Sequence, residues 1–251
     1  MNYIYLMGGL GNQIFQYFFS IYLANLTRQR SFLVVDWYQT NTQRKLLLQK
    51  LVRNAEFVSL SKLIESGLEV KPTKSEYVNP RSNCYIGHYI SDEFTPSPQD
   101  IFNLFNLNTV LNDKCVLHVR GGDFLGLGSG LEVNYYERAI QLIPSNLQIE
   151  VVTDDLPFAL SLLASPVIQS RNLVYSEIQD EITDFVLLAS AKYVVCANST
   201  FSLAAAMYAS SLGGICICPP PIDYFNGVSV TDSRVSNLSS LMSKHKLRAA
   251  F

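Results

Sequence analysis

Apolar and polar positions along this chain fall into two alternating kinds of segment. Short β-branched and aromatic runs lie near 2–7, 31–36, 115–119, 148–153, 172–175, 192–196 and 214–218. Between them, apolar residues recur with helical period near 12–29, 43–51, 133–143, 155–164, 181–190 and 200–211. Strands alternating with helices predict an α/β fold with parallel sheet. The stretch 91–113, with Thr95-Pro96-Ser97-Pro98 and four asparagines, has the chemistry of a connection. It divides the chain into an N-terminal half, 1–108, and a C-terminal half, 109–251. Two Rossmann-like halves facing across a central cleft would draw ligand groups from the carboxyl ends of their strands.

Three strand ends carry chemistry. In Cys115–Phe124, C-V-L-H-V-R-G-G-D-F, an apolar run finishes on His118 and Arg120 and then bends at Gly121-Gly122. A guanidinium at a strand tip offers a planar fork of donors suited to phosphate oxygens. Taken singly, Arg120 could equally form a surface ion pair and His118 could be a core residue. Met7–Gln13, M-G-G-L-G-N-Q, joins the first strand to the first helix, where Gly9, Gly11 and Asn12 would let the backbone approach a ligand. It matches neither G-x-G-x-x-G nor the Walker pattern, and an ordinary tight turn explains it as well. Cys196–Ser202, C-A-N-S-T-F-S, places Asn198, Ser199, Thr200 and Ser202 where a helix begins, ahead of the small-residue run L-A-A-A-M-Y-A. One hydroxyl is explained by capping; three in four residues suit a phosphate.

After the fourth strand come Thr153-Asp154-Asp155. One aspartate can cap the following helix. An unshared carboxylate could instead accept from N1–H and the 2-amino group of guanine together. No D-x-D occurs, so the usual carboxylate spacing for a metal-bridged diphosphate is missing. No metal or other cofactor is expected.

Composition narrows the class. A net charge of -2 excludes broad electrostatic binding of nucleic acid. The opening M-N-Y-I-Y-L-M-G-G-L lacks a signal-peptide pattern, and the five cysteines form no C-x-x-C pair, which suits reduced thiols in a cytoplasmic protein. The basic run S-K-H-K-L-R (243–248) could touch the inner face of the cytoplasmic membrane, although a solvated helix end is the plainer account.

G-G-L-G-N-Q-I-F-Q-Y (8–17), H-V-R-G-G-D-F (118–124) and N-S-T-F-S-L-A-A-A (198–206) together resemble three motifs of the bacterial α-1,2-fucosyltransferases. Weaker matches fall between them at 84–94, 134–140, 151–155 and 184–193, so the resemblance spans about residues 3–210. It implies a metal-independent, inverting glycosyltransferase of the B type, with GDP-β-L-fucose as donor. The acceptor would be a galactoside in an oligosaccharide or lipid-linked glycan, within bacterial surface-glycan synthesis such as that of O-antigen. By the same resemblance Arg120 holds the β-phosphate. His118 and one of Asp154 or Asp155 lie near guanosine, Ser199, Thr200 and Ser202 near the diphosphate, and Gly11 and Asn12 face the donor.

The family's second arginine is replaced here by Gly121. A different GDP-6-deoxyhexose donor (colitose or rhamnose) is therefore an alternative; a silent GDP- or glycan-binding module is a separate one. Asp123 is the candidate base, with a role in bonding the Gly121-Gly122 turn as its alternative; Glu132, Asp92 and Glu93 are further loop carboxylates. Trp37, Tyr38, His88 and Tyr89 could meet the acceptor sugar, although most aromatics of this half are expected in the core. The oligomeric state is not legible.

Overall fold

A computed structural model of the chain describes residues 1–65, 67–74, 78–79, 81–126, 128–176, 180–224 and 233–250. The chain forms two compact units, Met1–Pro96 with Asn103–Asn106, and Ser97–Phe102 with Leu107–Phe251.

The first unit contains β1 (Asn2–Tyr5), α1 (Leu10–Thr27), β2 (Ser31–Val34), α2 (Trp37–Thr40), β3 (Phe57–Val58), α3 (Leu60–Glu65), β4 (Pro72–Lys74) and β5 (Cys84–Ile86). Its strands pair in parallel in the order β3-β2-β1-β5-β4. The helix α1 buries Leu10, Ile14, Phe15, Phe18, Phe19 and Leu23, together with two glutamines. Buried amides must be hydrogen-bonded, and these are. Gln13 donates to the carbonyls of Gly8 (3.2 Å) and Lys45 (2.9 Å), and its Oε1 accepts from the amides of Leu47 and Leu48 (both 3.0 Å). Gln16 donates to the Gly87 carbonyl (3.0 Å) and accepts from the Met7 amide (3.1 Å).

The bonds to Gln13 explain one departure from expectation. The helix predicted over 43–51 is reduced to a 3₁₀ turn, Leu48–Lys50. Amides given to the Gln13 side chain cannot enter a helical ladder. A second departure is α4 (Pro98–Leu104), a helix inside the stretch read as a connection. Ser97 accepts from the Asp100 amide at 3.2 Å and donates to its carboxylate at 2.6 Å, with proline at the first helical position. Those are ordinary start signals.

The second unit contains β6 (Asn112–Val119), α5 (Asp123–Gly126), α6 (Val133–Gln141), β7 (Ile149–Thr153), α7 (Leu156–Leu162), α8 (Pro166–Gln169), β8 (Leu173–Tyr175), α9 (Glu181–Ala189), β9 (Ala191–Val195), α10 (Thr200–Ser211), β10 (Ile215–Cys218), α11 (Ser233–Lys244) and β11 (Arg248–Ala249). The parallel order is β11-β10-β9-β6-β7-β8, with β6 inside the sheet. Side chains alternate along β6. Cys115, Leu117 and Val119 pack in one core cluster with Tyr135, Tyr136, Ala139 and Ile140 of α6. By the period of two, Val116 and His118 point to the opposite face. The buried run Leu203–Met207 of α10 is mostly alanine, which permits close packing.

On α9, Asp184 is 9% exposed and its Oδ1 has no hydrogen-bond partner. Desolvation, then Asp180, Glu150 and Glu181, push its carboxyl up to about 7. An acid whose folded pKa is raised costs stability as pH climbs from its unfolded value toward the folded one. Asp184→Asn is therefore expected to stabilise the protein by about 1–3 kcal/mol at pH 8.5. The gain should vanish below pH ~4, as checked by thermal unfolding of both proteins across pH; a gain constant with pH would contradict it.

Candidate active site

Arg120 leaves the end of β6 with its side chain 16% exposed. Its Nη2 is paired with Asp123 and its Nη1 with Asp154 at 2.5 Å, while the guanidinium carbon lies 5.0 Å from the centre of the Phe124 ring. The turn that follows is gripped from β7's end. Asp154 Oδ1 accepts from the Gly121 amide (2.8 Å) and Asp155 Oδ2 from the Gly122 amide (3.3 Å), while Asp155 Oδ1 caps α7 through the Phe158 amide (3.1 Å).

Two expectations change here. Neither aspartate is unshared, since every carboxylate oxygen of the pair already accepts a bond or faces Arg120; a free fork for a guanine edge is absent from this arrangement. The turn amides are bonded by Asp154 and Asp155 rather than by Asp123, which binds Arg120 instead. A glycine at position 121 also has a structural reason. A Cβ on Gly121 would stand 2.6 Å from Asp155 Cβ and 3.1 Å from Phe158 Cδ1, so no side chain fits while Asp155 holds the turn.

His118 is 4% exposed, and its Nδ1 is buried without a hydrogen-bond partner. Burial, and secondarily Arg120, push its pKa down to about 3, so the ring is neutral at physiological pH. Its ring centre lies 5.5 Å from that of Phe201, which brings the end of β6 against the first turn of α10. Ser199 caps α10, accepting from the Phe201 amide at 3.1 Å. Ser202 is fully buried and donates to the carbonyls of Ala197 (3.0 Å) and Ser199 (3.4 Å), so its hydroxyl serves the fold and not a ligand. Thr200, half-buried, opens the helix. The Asn198 amide donates to the Ser129 carbonyl (2.7 Å) and the Asp223 carbonyl (2.9 Å), tying two loops together.

In the first unit, Gly8 has φ +82°, a conformation natural only to glycine, and its carbonyl accepts from Gln13 and from the Tyr38 hydroxyl (2.9 Å). Gly9 and Asn12 are partly exposed beside this turn, and Gly11 is buried. Among the acceptor candidates, Trp37 and Tyr38 are half-buried and meet edge to face, and His88 is exposed. Tyr89 is fully buried and stacked on Phe19 at 3.7 Å. It is a core residue and cannot touch a sugar there.

No family model matches the chain, and no curated protein matches it. Solved structures do. The chain resembles the fucosyltransferase NodZ from Bradyrhizobium with a TM-score of 0.52 at 11% identity, covering 82% of this chain and 92% of that one. A NodZ α-1,6-fucosyltransferase co-crystallized with GDP gives 0.51 at 12% identity, with the same coverage. The chain shares its fold with a fucosyltransferase.

The expected α/β fold, with a parallel sheet in each of two units, is the one observed. The five cysteines are free and buried. Among the described residues no helix is long and apolar enough to cross a membrane. The 243–248 run is not a loose basic tail: His245 and Leu247 are buried, and Arg248 enters β11.

Sequence reasoning missed Arg138 and Asp223. With Glu132, Asn134 and Asn198 they line a cavity of about 490 Å³ in the second unit. Partial desolvation raises the Asp223 carboxyl; Arg138 opposes that rise and Glu132 adds to it. Asp223, seventeen residues beyond the last motif, gave no signal in one dimension, although Arg138 lies within the weak match at 134–140.

The crowding at Gly121 makes a sharp prediction. Gly121→Ala, and equally Gly121→Arg, should destabilise the protein by about 1–3 kcal/mol. Thermal unfolding should register a fall of roughly 3–10 °C. An unchanged midpoint in either variant would refute the packing account of this position.

Proposed function

We propose that the protein is an inverting α-1,2-fucosyltransferase, which moves L-fucose from GDP-β-L-fucose to the 2-hydroxyl of a galactoside in bacterial glycan synthesis, with no metal required. The observation that carries this is the convergence, at 5.5 Å between His118 and Phe201, of the arginine-tipped strand end and the serine-capped helix start. The fold of the second unit and the three motifs support the same reading. The position of transfer is carried by the motifs, because a NodZ protein of similar fold is an α-1,6-fucosyltransferase.

The electrostatics dictate how a diphosphate would enter. One guanidinium is paired with two carboxylates, Asp123 and Asp154, which is a poor resting place for an anion. Asp154 is pinned by the Gly121 amide, whereas the Asp123 side chain is 56% exposed on a single helical turn. In the proposed complex the β-phosphate takes the place of Asp123 on Arg120. As the bond between sugar C1 and the β-phosphate oxygen breaks, Arg120 and the α10 amides stabilise the departing charge. The acceptor oxygen bonds to C1 from the opposite face, its proton passes to the released Asp123 carboxylate, and GDP leaves.

Transfer assays in EDTA test this reading. Arg120→Ala should lower turnover at least ~100-fold. Asp123→Asn should also lose turnover, yet bind GDP no more weakly than the wild type. Near-normal turnover in folded Arg120→Ala would sink the assignment. A wild type that uses GDP-colitose or GDP-rhamnose but not GDP-fucose would reassign the donor, and GDP binding without transfer to any acceptor would favour a silent module.

A further inference from the structure

The cavity beside Asn198 is not used by the donor chemistry described above, and its lining differs from that of the Arg120 site. It is walled by the loop from Gly128 to Glu132, by Asn134 and Arg138 of α6, and by Ile222 and Asp223 of the turn after β10. At about 490 Å³ it falls within the range of small-ligand pockets, roughly 300–1,000 Å³. Its charged lining is two carboxylates, Glu132 and Asp223, against one guanidinium, Arg138. Carboxylates that accept, with a guanidinium and an amide that donate, suit a neutral ring bearing several hydroxyls, each of which both donates and accepts.

Its position gives the cavity a partner in the reaction. The Asn198 amide spans from the Ser129 carbonyl to the Asp223 carbonyl, so this side chain joins the cavity's two rims. The next residue, Ser199, caps the helix assigned to the diphosphate. Gly128 lies five residues beyond Asp123 in the chain. We infer that this cavity, within the second unit, holds the acceptor sugar, with Glu132 and Asp223 accepting from its hydroxyls and Arg138 donating to them. The inference rests on the glycosyltransferase reading above and adds an acceptor subsite to it. It places acceptor recognition on the donor-binding unit, where the sequence pointed to aromatics of the first.

Saturation-transfer NMR with methyl β-D-galactopyranoside tests it on the full chain, with GDP-induced thermal shifts measured on the same proteins. The wild type should transfer saturation to the sugar, with at least about tenfold weaker binding in Arg138→Met and in Asp223→Asn. Both variants should keep the wild-type GDP shift. Sugar binding equal to wild type in both variants, or none in the wild type, would overturn the assignment. So would loss of the GDP shift in the variants, which would give the cavity to the nucleotide. Sugar binding lost in the variants from a wild type that never responds to GDP would uphold the cavity and refute the donor reading instead.

Discussion

Two adjacent carboxylates at the end of β7 hold the end of β6. Asp154 and Asp155 each take an amide of the Gly121-Gly122 turn, Asp154 also faces Arg120, and Asp155 starts α7. Much of the site follows from that grip. It turns the chain sharply after the strand, fixes where the arginine stands, and leaves no volume for a side chain at position 121. Hydrogen bonds to charged acceptors are among the stronger ones a protein makes, and here they tie neighbouring parallel strands at the edge where α/β folds present ligand groups.

The same arrangement creates an electrostatic problem that the proposed chemistry can use. An arginine surrounded by carboxylates is held in place before any ligand arrives, at the cost of a locally negative field. In the proposed complex a diphosphate enters by exchanging with one of those carboxylates. Asp154 is fastened by the Gly121 amide, whereas the Asp123 side chain is 56% exposed, so in the proposed complex the phosphate exchanges with Asp123. Preorganisation and a displaceable internal anion are then two aspects of one design: the arginine does not need to reorganise as charge develops.

Legibility in the sequence followed the range of the interactions. The seven strands read from apolar runs are all present, because parallel strands buried on both faces carry continuous β-branched patterns. The short strands Phe57–Val58, Pro72–Lys74, Cys84–Ile86 and Arg248–Ala249 went unread, being two or three residues long and defined by their neighbours. The false helix over 43–51 has the right periodicity; a buried glutamine more than thirty residues away takes its amides. At the site, Arg120 and the helix start at Ser199 were legible as local chemistry. Of Asp154 and Asp155 only the helix cap was read, and the roles of Asn198 and Ser202 were not legible, because the remaining bonds go to partners across the turn, on other loops or within the helix. Arg138 and Asp223 meet only in three dimensions.

The central claim is that Arg120 recognises the second phosphate of a guanosine diphosphate without a metal. Calorimetric titration of GDP against GMP in EDTA addresses it directly, on wild type and Arg120→Met. A charge-assisted contact of about 1.5–3 kcal/mol corresponds to roughly a 10- to 150-fold preference for GDP. The account predicts that preference in the wild type and its collapse to near equality in the variant. Equal affinity for GDP and GMP in the wild type, or GDP binding that returns only when a divalent cation is added, would contradict it.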